Sequence, residues 1–126
     1  MAISQNDVTK TKIDVRKSSR DLIQVIFKVT EIFPSQDPEA LKLELRKKAL
    51  SISSFISHGT AQAEKAEQKD YFIAVMTELR ELLKLIDRAK SLNYTTEKRY
   101  VFVRLSISNV ITSLDKLVKM LGVFDD

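Results

Sequence analysis

Residues 96–121, TEKRYVFVRLSISNVITSLDKLVKML, decide the fold because their apolar side chains recur alternately three and four positions apart. This spacing places them on one face of an α-helix, and it is the heptad pattern by which helices pack about 20° from antiparallel. We therefore predict a long amphipathic helix here, widened by Ile111 and Val118. Its predicted core positions are Tyr100, Val103, Ile107, Val110, Leu114, Leu117 and Leu121.

A second segment, over about residues 69–91, has the same alternating spacing without interruption. Its predicted core positions are Phe72, Val75, Leu79, Leu82, Ile86 and Ala89. Asn93 is suited to a left-handed cap after this helix, because asparagine tolerates positive φ. Thr95 is the predicted N-cap of the last helix, since its hydroxyl can accept a hydrogen bond from a free backbone N–H.

Two earlier helices follow from start and stop signals. Asp37-Pro38-Glu39 combines a capping acceptor, a proline at the first helical position and an acid in the first turn. The helix after it has the core positions Leu41, Leu45, Ala49, Ile52 and Ile56. Gly59 is its predicted end.

The first helix is predicted over about residues 18–32 and ends before Pro34. Its core positions are Leu22, Val25, Ile26, Val29, Ile32 and Phe33.

The composition supports one all-α domain. A chain of 126 residues, 44% hydrophobic and 30% charged, is typical of a folded domain with its own core. Only two glycines and two prolines are present, which leaves little room for hairpins. We predict an antiparallel up-down-up-down four-helix bundle over residues 18–122. A polar arm over residues 1–17, either mobile or a frayed helical extension, would precede it, and a short tail over residues 123–126 would follow.

The sequence predicts no association with a membrane. Its longest uninterrupted apolar run, residues 71–76, is too short to span a bilayer. The first ten residues, MAISQNDVTK, lack the apolar segment of a signal peptide. There is no cysteine, which excludes disulfides and thiolate chemistry. We therefore expect a cytoplasmic protein.

Signals for catalysis are weak. The single histidine, His58, has Ser57 beside it, but adjacent helical residues point in different directions. A di-iron bundle needs a Glu-x-x-His pair on each of two helices, which one histidine cannot supply. Only Gly59 and Gly122 are present, so there is no glycine-rich phosphate loop. We expect no enzymatic activity, no cofactor and no metal site.

The apolar faces are broader than a closed monomer requires. The third helix adds Ile73, Met76, Leu83 and Leu85, and the fourth adds Phe102 and Leu105. A monomer that exposed all of these side chains would carry a large adhesive patch. We therefore predict that the protein forms a homo-oligomer.

Basic residues are clustered, although the net charge of +4 and the pI near 9.3 are only modestly basic. Lys98, Arg99 and Arg104 form one cluster, and two further clusters lie on the second and third helices. From these two we predict contacts to the phosphates of RNA or DNA by Lys42, Arg46, Lys47, Arg80, Lys84 and Arg88. Aromatic residues do not alternate with them, so backbone or shape recognition is favoured over base readout. The alternative interpretation is a set of solvated helix faces, diluted by Glu81 and Asp87.

Two stretches of the chain resemble a known family. One is residues 45–54, LRKKALSISS, with Phe33-Pro34 before it and Gly59 after it; the other covers residues 71–94. Both resemble the small four-helix bundle proteins encoded in intervening sequences of bacterial large-subunit ribosomal RNA genes. The resemblance covers about residues 22–121. The same fold family includes the accessory variability protein of diversity-generating retroelements.

The resemblance implies a homopentameric ring of bundles with a basic surface. Retroelement members bind nucleic acid and a reverse transcriptase, so it also implies a reverse transcriptase as a partner. The expected function is a non-enzymatic, oligomeric nucleic-acid-binding protein that acts as an accessory subunit of such an enzyme. The alternative is a protein-interaction scaffold of the same family with no nucleic-acid role of its own.

Overall fold

The computed structural model describes residues 4–123 as four α-helices, with no β-strand in that range. The helices are α1 (Gln5–Thr30), α2 (Leu41–Ala61), α3 (Lys65–Ser91) and α4 (Glu97–Val123). Consecutive helices pack against each other, and α1 also packs against α4. Among the described residues no Cα atoms of the diagonal pairs, α1 with α3 and α2 with α4, lie within 8 Å of each other, so this closed order gives the predicted up-down-up-down bundle.

Heptad spacing predicted the core of the last three helices. Every predicted core position in α2 and α3 is buried, and so is every one in α4 except Tyr100. Tyr100 is half-buried and packs against the edge of the core, as Ile111 and Val118 do. These side chains meet those of α1 in one continuous hydrophobic core.

In the part of residues 1–17 that the structure describes, the predicted polar arm is a helical extension, but it is packed rather than frayed or mobile. Ser4 starts α1 with a capping box, in which its side chain and that of Asp7 accept each other's backbone N–H. Val8 and Val15 then enter the core, with 4% and 0% of their surfaces exposed. From Gln5 onward this segment is therefore a packed part of the bundle.

The end of α1 also differs from the prediction. Ile32 was placed in the core but is 46% exposed. The helix ends at Thr30, and the chain then turns so that Phe33 becomes buried instead. Val25 is half-buried. At the other end of the chain, residue 123 of the predicted tail is the last residue of α4; residues 124–126 and residues 1–3 lie outside the described residues.

Asp37 accepts a hydrogen bond from the first turn of α2, as predicted, but the N-cap residue is Ala40. The helix starts later than predicted, so Pro38 and Glu39 lie in the preceding turn and not in the first turn of α2. Asp37 Oδ2 accepts a hydrogen bond of 2.9 Å from the backbone N–H of Lys42. The intervening turn ends at Ala40, whose φ is +52°. Gly59 does not end α2, which continues to Ala61. The helix α3 begins at Lys65 rather than near residue 69, so only residues 62–64 separate the two helices.

The turn between α3 and α4 follows the prediction at one of two positions. Asn93 has the expected left-handed conformation, with φ of +62°. Thr96, rather than Thr95, caps α4: its Oγ1 accepts a hydrogen bond of 3.2 Å from the backbone N–H of Arg99. Thr95 is buried, and its Oγ1 has no hydrogen-bond partner among the described residues.

Candidate nucleic-acid interface

Two of the six predicted phosphate ligands, Lys42 and Arg46, lie on α2 near the end of α1. Arg46 Nε donates a 2.8 Å hydrogen bond to Thr30 Oγ1, and its Nη2 donates a 3.0 Å bond to the Phe27 carbonyl. The guanidinium also lies 4.6 Å from the centroid of the Phe27 ring. Arg46 thus satisfies groups in the last turn of α1, where carbonyls lack helical partners. Lys42 borders a surface depression beside Pro34.

Three predicted ligands form a line along the outside of α3. Arg80, Lys84 and Arg88 are all exposed on this surface, as their spacing of four residues predicts. The guanidinium of Arg88 is already paired with a carboxylate, because its Nε and Nη2 contact the Glu39 carboxylate at 2.9–3.1 Å. This hydrogen-bonded carboxylate raises the pKa of Arg88. Arg80 makes no ion pair within the described part of the chain, and Lys84 has only a longer-range attraction to Glu81.

A cluster of opposite charges lies at the seam between α2 and α3. Lys48 Nζ is 2.8 Å from Glu78 Oε2 and 2.9 Å from Glu81 Oε2. Hydrogen bonds to the two carboxylates raise the pKa of Lys48, and the bond from Lys48 lowers the pKa of Glu81. The contact also fixes the register of the two helices. It places Lys47 within about one helical turn of the level of Lys84.

The six predicted phosphate ligands fall into two groups, those that already contact another part of the bundle and those that do not. Arg46 and Arg88 belong to the first group, because they donate hydrogen bonds to Thr30 and to Glu39. The remaining predicted ligands are Lys42, Lys47, Arg80 and Lys84. Of these, Arg80 and Lys84 are adjacent on one helix surface, which makes them the best placed of the six to contact a phosphate backbone.

The third basic cluster is split between two faces of α4. Arg104 Nη1 donates a 2.9 Å hydrogen bond to Tyr100 Oη, which in turn donates a 2.6 Å bond to Asp87 Oδ1. The bond to Tyr100 raises the pKa of Arg104. Lys98 and Arg99 instead border a groove between α1 and α4.

One more cation, Lys28, borders this groove, and it was not part of any basic cluster predicted from the sequence. Lys28 of α1 lies beside Lys98 and Arg99 of α4, around the side chains of Val25, Val29 and Phe102. Nothing in the spacing along the chain connects Lys28 with residues 98 and 99. The pairing of α1 with α4 brings them together, and only the up-down-up-down topology could have indicated it in advance.

His58 is exposed near the end of α2, where its Nδ1 lies 2.9 Å from the Ser54 carbonyl oxygen. Its ring is stacked against Tyr71, with centroids 6.5 Å apart. Within residues 4–123 no three acidic or histidine side chains come together in a group that could hold a metal ion. No helix in that range is long and apolar enough to cross a bilayer.

Two sequence comparisons bear on the identity of this bundle. A comparison with curated proteins found no match. The sequence model of the 23S rRNA-intervening sequence protein family matches residues 11–121, which include nearly all of the four helices. The matched range also begins within α1, in the segment predicted to be a polar arm. This four-helix bundle therefore belongs to the family of 23S rRNA-intervening sequence proteins.

Proposed function

We propose that this protein is a non-enzymatic, homo-oligomeric binder of nucleic-acid backbones, and that it serves as an accessory subunit of a reverse transcriptase. The observation that carries the binding proposal is the surface pair Arg80 and Lys84, one helical turn apart on α3 and without a hydrogen-bonded counterion among residues 4–122. Two such cations can neutralise neighbouring phosphates and release their condensed counterions. The enzyme partner is proposed from the resemblance to retroelement members of the fold family.

The oligomer is supported by apolar side chains on the outer faces of two helices. Leu43 and Leu50 of α2 are 56% and 49% exposed, and Ile73 of α3 is 55% exposed. Exposed positions seven apart on α2 form a second stripe that a neighbouring subunit would cover. A ring of five subunits would repeat the Arg80–Lys84 pair in every subunit and strengthen its field. Light scattering should then give the mass of a pentamer, and a monomer at micromolar concentration would contradict this part of the proposal.

The binding proposal is tested with the double variant Arg80→Glu/Lys84→Glu. Affinity for a structured RNA and for duplex DNA is measured by fluorescence anisotropy over a salt series. We expect weaker binding to all sequences alike, and a salt slope that is flatter by about one for each phosphate that the variant no longer neutralises. The matched control is Lys10→Glu/Lys116→Glu, which makes the same change in net charge at exposed sites on α1 and α4.

The two variants separate a local contact from a general charge effect. Unchanged affinity of the α3 variant would contradict the assignment of Arg80 and Lys84. An equal loss in the control would mean that net charge, rather than this face, governs binding.

The alternative function, a protein-interaction scaffold, is favoured by one observation. Val101, Phe102 and Leu105 of α4 are 44%, 60% and 59% exposed. A patch of this kind is typical of a protein interface and contributes little to phosphate binding. If the wild-type protein retains no RNA or DNA at physiological salt, the scaffold becomes the better assignment.

A further inference from the structure

The groove between α1 and α4 combines an apolar floor with a basic rim. It has a volume of about 460 Å³ and is lined by Val25, Lys28, Val29, Thr96, Lys98, Arg99 and Phe102. Val29 is buried and Val25 half-buried, whereas Phe102 has 60% of its surface exposed. A phenylalanine that projects this far from a groove presents an aromatic surface that water solvates poorly.

The apolar surface extends beyond the groove along α4. Phe102 and Leu105 are three residues apart, and Val101 and Leu105 are four apart. Side chains at these spacings are neighbours on a helix surface. Together with Val25 they form one continuous patch, whose members are mainly aliphatic. Such a patch fits the apolar face of a protein segment better than a nucleobase, since only Phe102 offers a ring on which a base could stack.

The three cations around this patch have no counterion in the part of the chain that the structure describes. Lys28, Lys98 and Arg99 form no ion pair within residues 4–122, and no carboxylate lines this part of the groove. The nearest acid along α4, Glu97, is directed to Lys90, with Nζ and Oε2 3.3 Å apart. An occupant that supplied carboxylates here would gain charge-assisted hydrogen bonds beside an apolar contact.

A second depression on the α1–α4 seam has a different character. It is lined by Asp14, Lys17, Ser18, Asp21, Asn109, Thr112 and Ser113. These side chains are polar and include two carboxylates, so the charge changes along the seam from one depression to the other. A long occupant would therefore be oriented, with its acidic and apolar part near Phe102 and its polar part near Asn109.

We propose that the α1–α4 groove binds an acidic amphipathic helix of a partner protein. One or two large apolar side chains would pack on Phe102 and Val25, and flanking carboxylates would contact Lys28, Lys98 and Arg99. A groove between two neighbouring helices offers no sheet edge to an extended strand, and it suits the helix-in-groove mode of recognition. A two-fold contact with a second copy is disfavoured, because it would place two basic rims against each other. A ring contact joins two different faces of the chain, and the mass of the Phe102→Ser oligomer tests it below. The inference goes beyond the proposed nucleic-acid binding and does not depend on it.

The test uses a displayed library of random peptides about 20 residues long, selected against the purified full chain; this length spans about five helical turns. We expect enrichment of sequences with large apolar residues at helical spacing and with aspartate or glutamate beside them. One enriched peptide is then synthesised with a fluorescent label and titrated against the wild type, Phe102→Ser and Arg99→Glu. Both variants should bind it at least tenfold more weakly. Phe102→Ser changes an exposed side chain, and far-UV circular dichroism checks that its helix content is retained.

The matched control is Arg80→Glu/Lys84→Glu, which alters a pair of the same charge type on α3, outside the groove. It should bind the peptide as tightly as the wild type does, even if it loses nucleic acid. The two functions therefore fail independently in these measurements.

Four outcomes would overturn the inference. Three of them are the absence of any enrichment, enrichment of peptides without carboxylates, and peptide affinity that Phe102→Ser leaves unchanged. The fourth is an effect of Phe102→Ser on the mass of the oligomer or on RNA binding, which would give Phe102 a different role. If Phe102→Ser lowers the mass of the oligomer, a second copy occupies the groove; if it abolishes RNA binding while the α3 variant does not, the groove is a nucleic-acid site.

Discussion

Gly59 determines how closely α2 can approach α3. It lies inside the last turn of α2 with a negative φ, so it is not needed for an unusual backbone conformation. A Cβ atom at this position would lie 2.7 Å from Phe72 Cε1 and 2.9 Å from Tyr71 Cβ. Phe72 is completely buried, and the Cβ of Tyr71 is fixed to its backbone. The absence of a side chain at Gly59 therefore permits the contact between the two helices.

We predict that Gly59→Ala destabilises the protein despite the better helix propensity of alanine. The overpacking should lower the free energy of unfolding by about 1–3 kcal/mol, measured by urea denaturation. Gly122→Ala is the control, because a methyl group added there would have no atom of the described residues within 4 Å. That variant should be neutral or slightly more stable. An equally stable Gly59→Ala protein would mean that α2 and α3 are packed less closely than described.

The outcome at single residues shows what a sequence can and cannot predict. The core positions predicted for α2 and α3 are all buried, because the spacing of apolar residues indicates which side of a helix faces its neighbours. The internal roles of Arg46 and Arg88 were not predicted. Their partners, the end of α1 and Glu39, are 16 to 49 residues away in sequence. An arginine cluster looks the same whether its members contact a ligand or another helix.

At the scale of a whole helix, α1 was the element whose extent was most underestimated. Two of its core-facing positions, Thr11 within the predicted arm and Ser19 just after it, are polar and interrupt the apolar pattern. Each is buried without penalty because its hydroxyl bonds to a carbonyl of the same helix, at 2.9 Å to Asp7 and 2.8 Å to Arg16. A hydrophobic pattern cannot recognise such positions, so the segment looked like a polar arm.

Two substitutions in this part of α1 distinguish a packed helix from a loose arm. Val15→Ala removes a side chain that is completely buried. It should lower the free energy of unfolding by about 2 kcal/mol, from the reduced burial and the cavity that remains. Ile13→Ala changes a neighbour that is 52% exposed, and its effect should be much smaller. Similar stabilities for both variants in thermal denaturation would support the arm.

At the scale of the molecule, ion pairs between helices make the stability of the bundle depend on pH. Lys48 joins α2 to two carboxylates of α3, and the pKa shifts of Lys48 and Glu81 have opposite signs. The pKa of Lys48 is raised from its ordinary 10.5, so its stabilisation is complete below pH 10.5 and is lost as pH rises through the folded-state value. The pKa of Glu81 is lowered from 4.5, so its share is complete above pH 4.5 and is lost in acid.

The variant Lys48→Met should therefore have a lower Tm than the wild type over the interval from pH 4.5 to 10.5. The difference should shrink below and above that interval, because the wild type itself loses the charged pair there. Lys116→Met serves as the comparison, since Lys116 is exposed and forms no ion pair within the described residues. A pH-independent difference for Lys48→Met would show that its methylene groups, rather than its charge, support the α2–α3 contact.

The pairing of α1 with α4 has a topological consequence. Gln5, Val8 and Leu121 line a common depression, so both described ends of the chain meet at one end of the bundle. The four helices thus form a closed cycle in space, in which no helix is structurally the first. A circular permutation that joined these ends through a short linker and opened the exposed loop at Ser35 would keep every interhelical contact. The connectivity of the chain is separable from the packing that stabilises it, and proteins fused at either end would extend from the same side of the molecule.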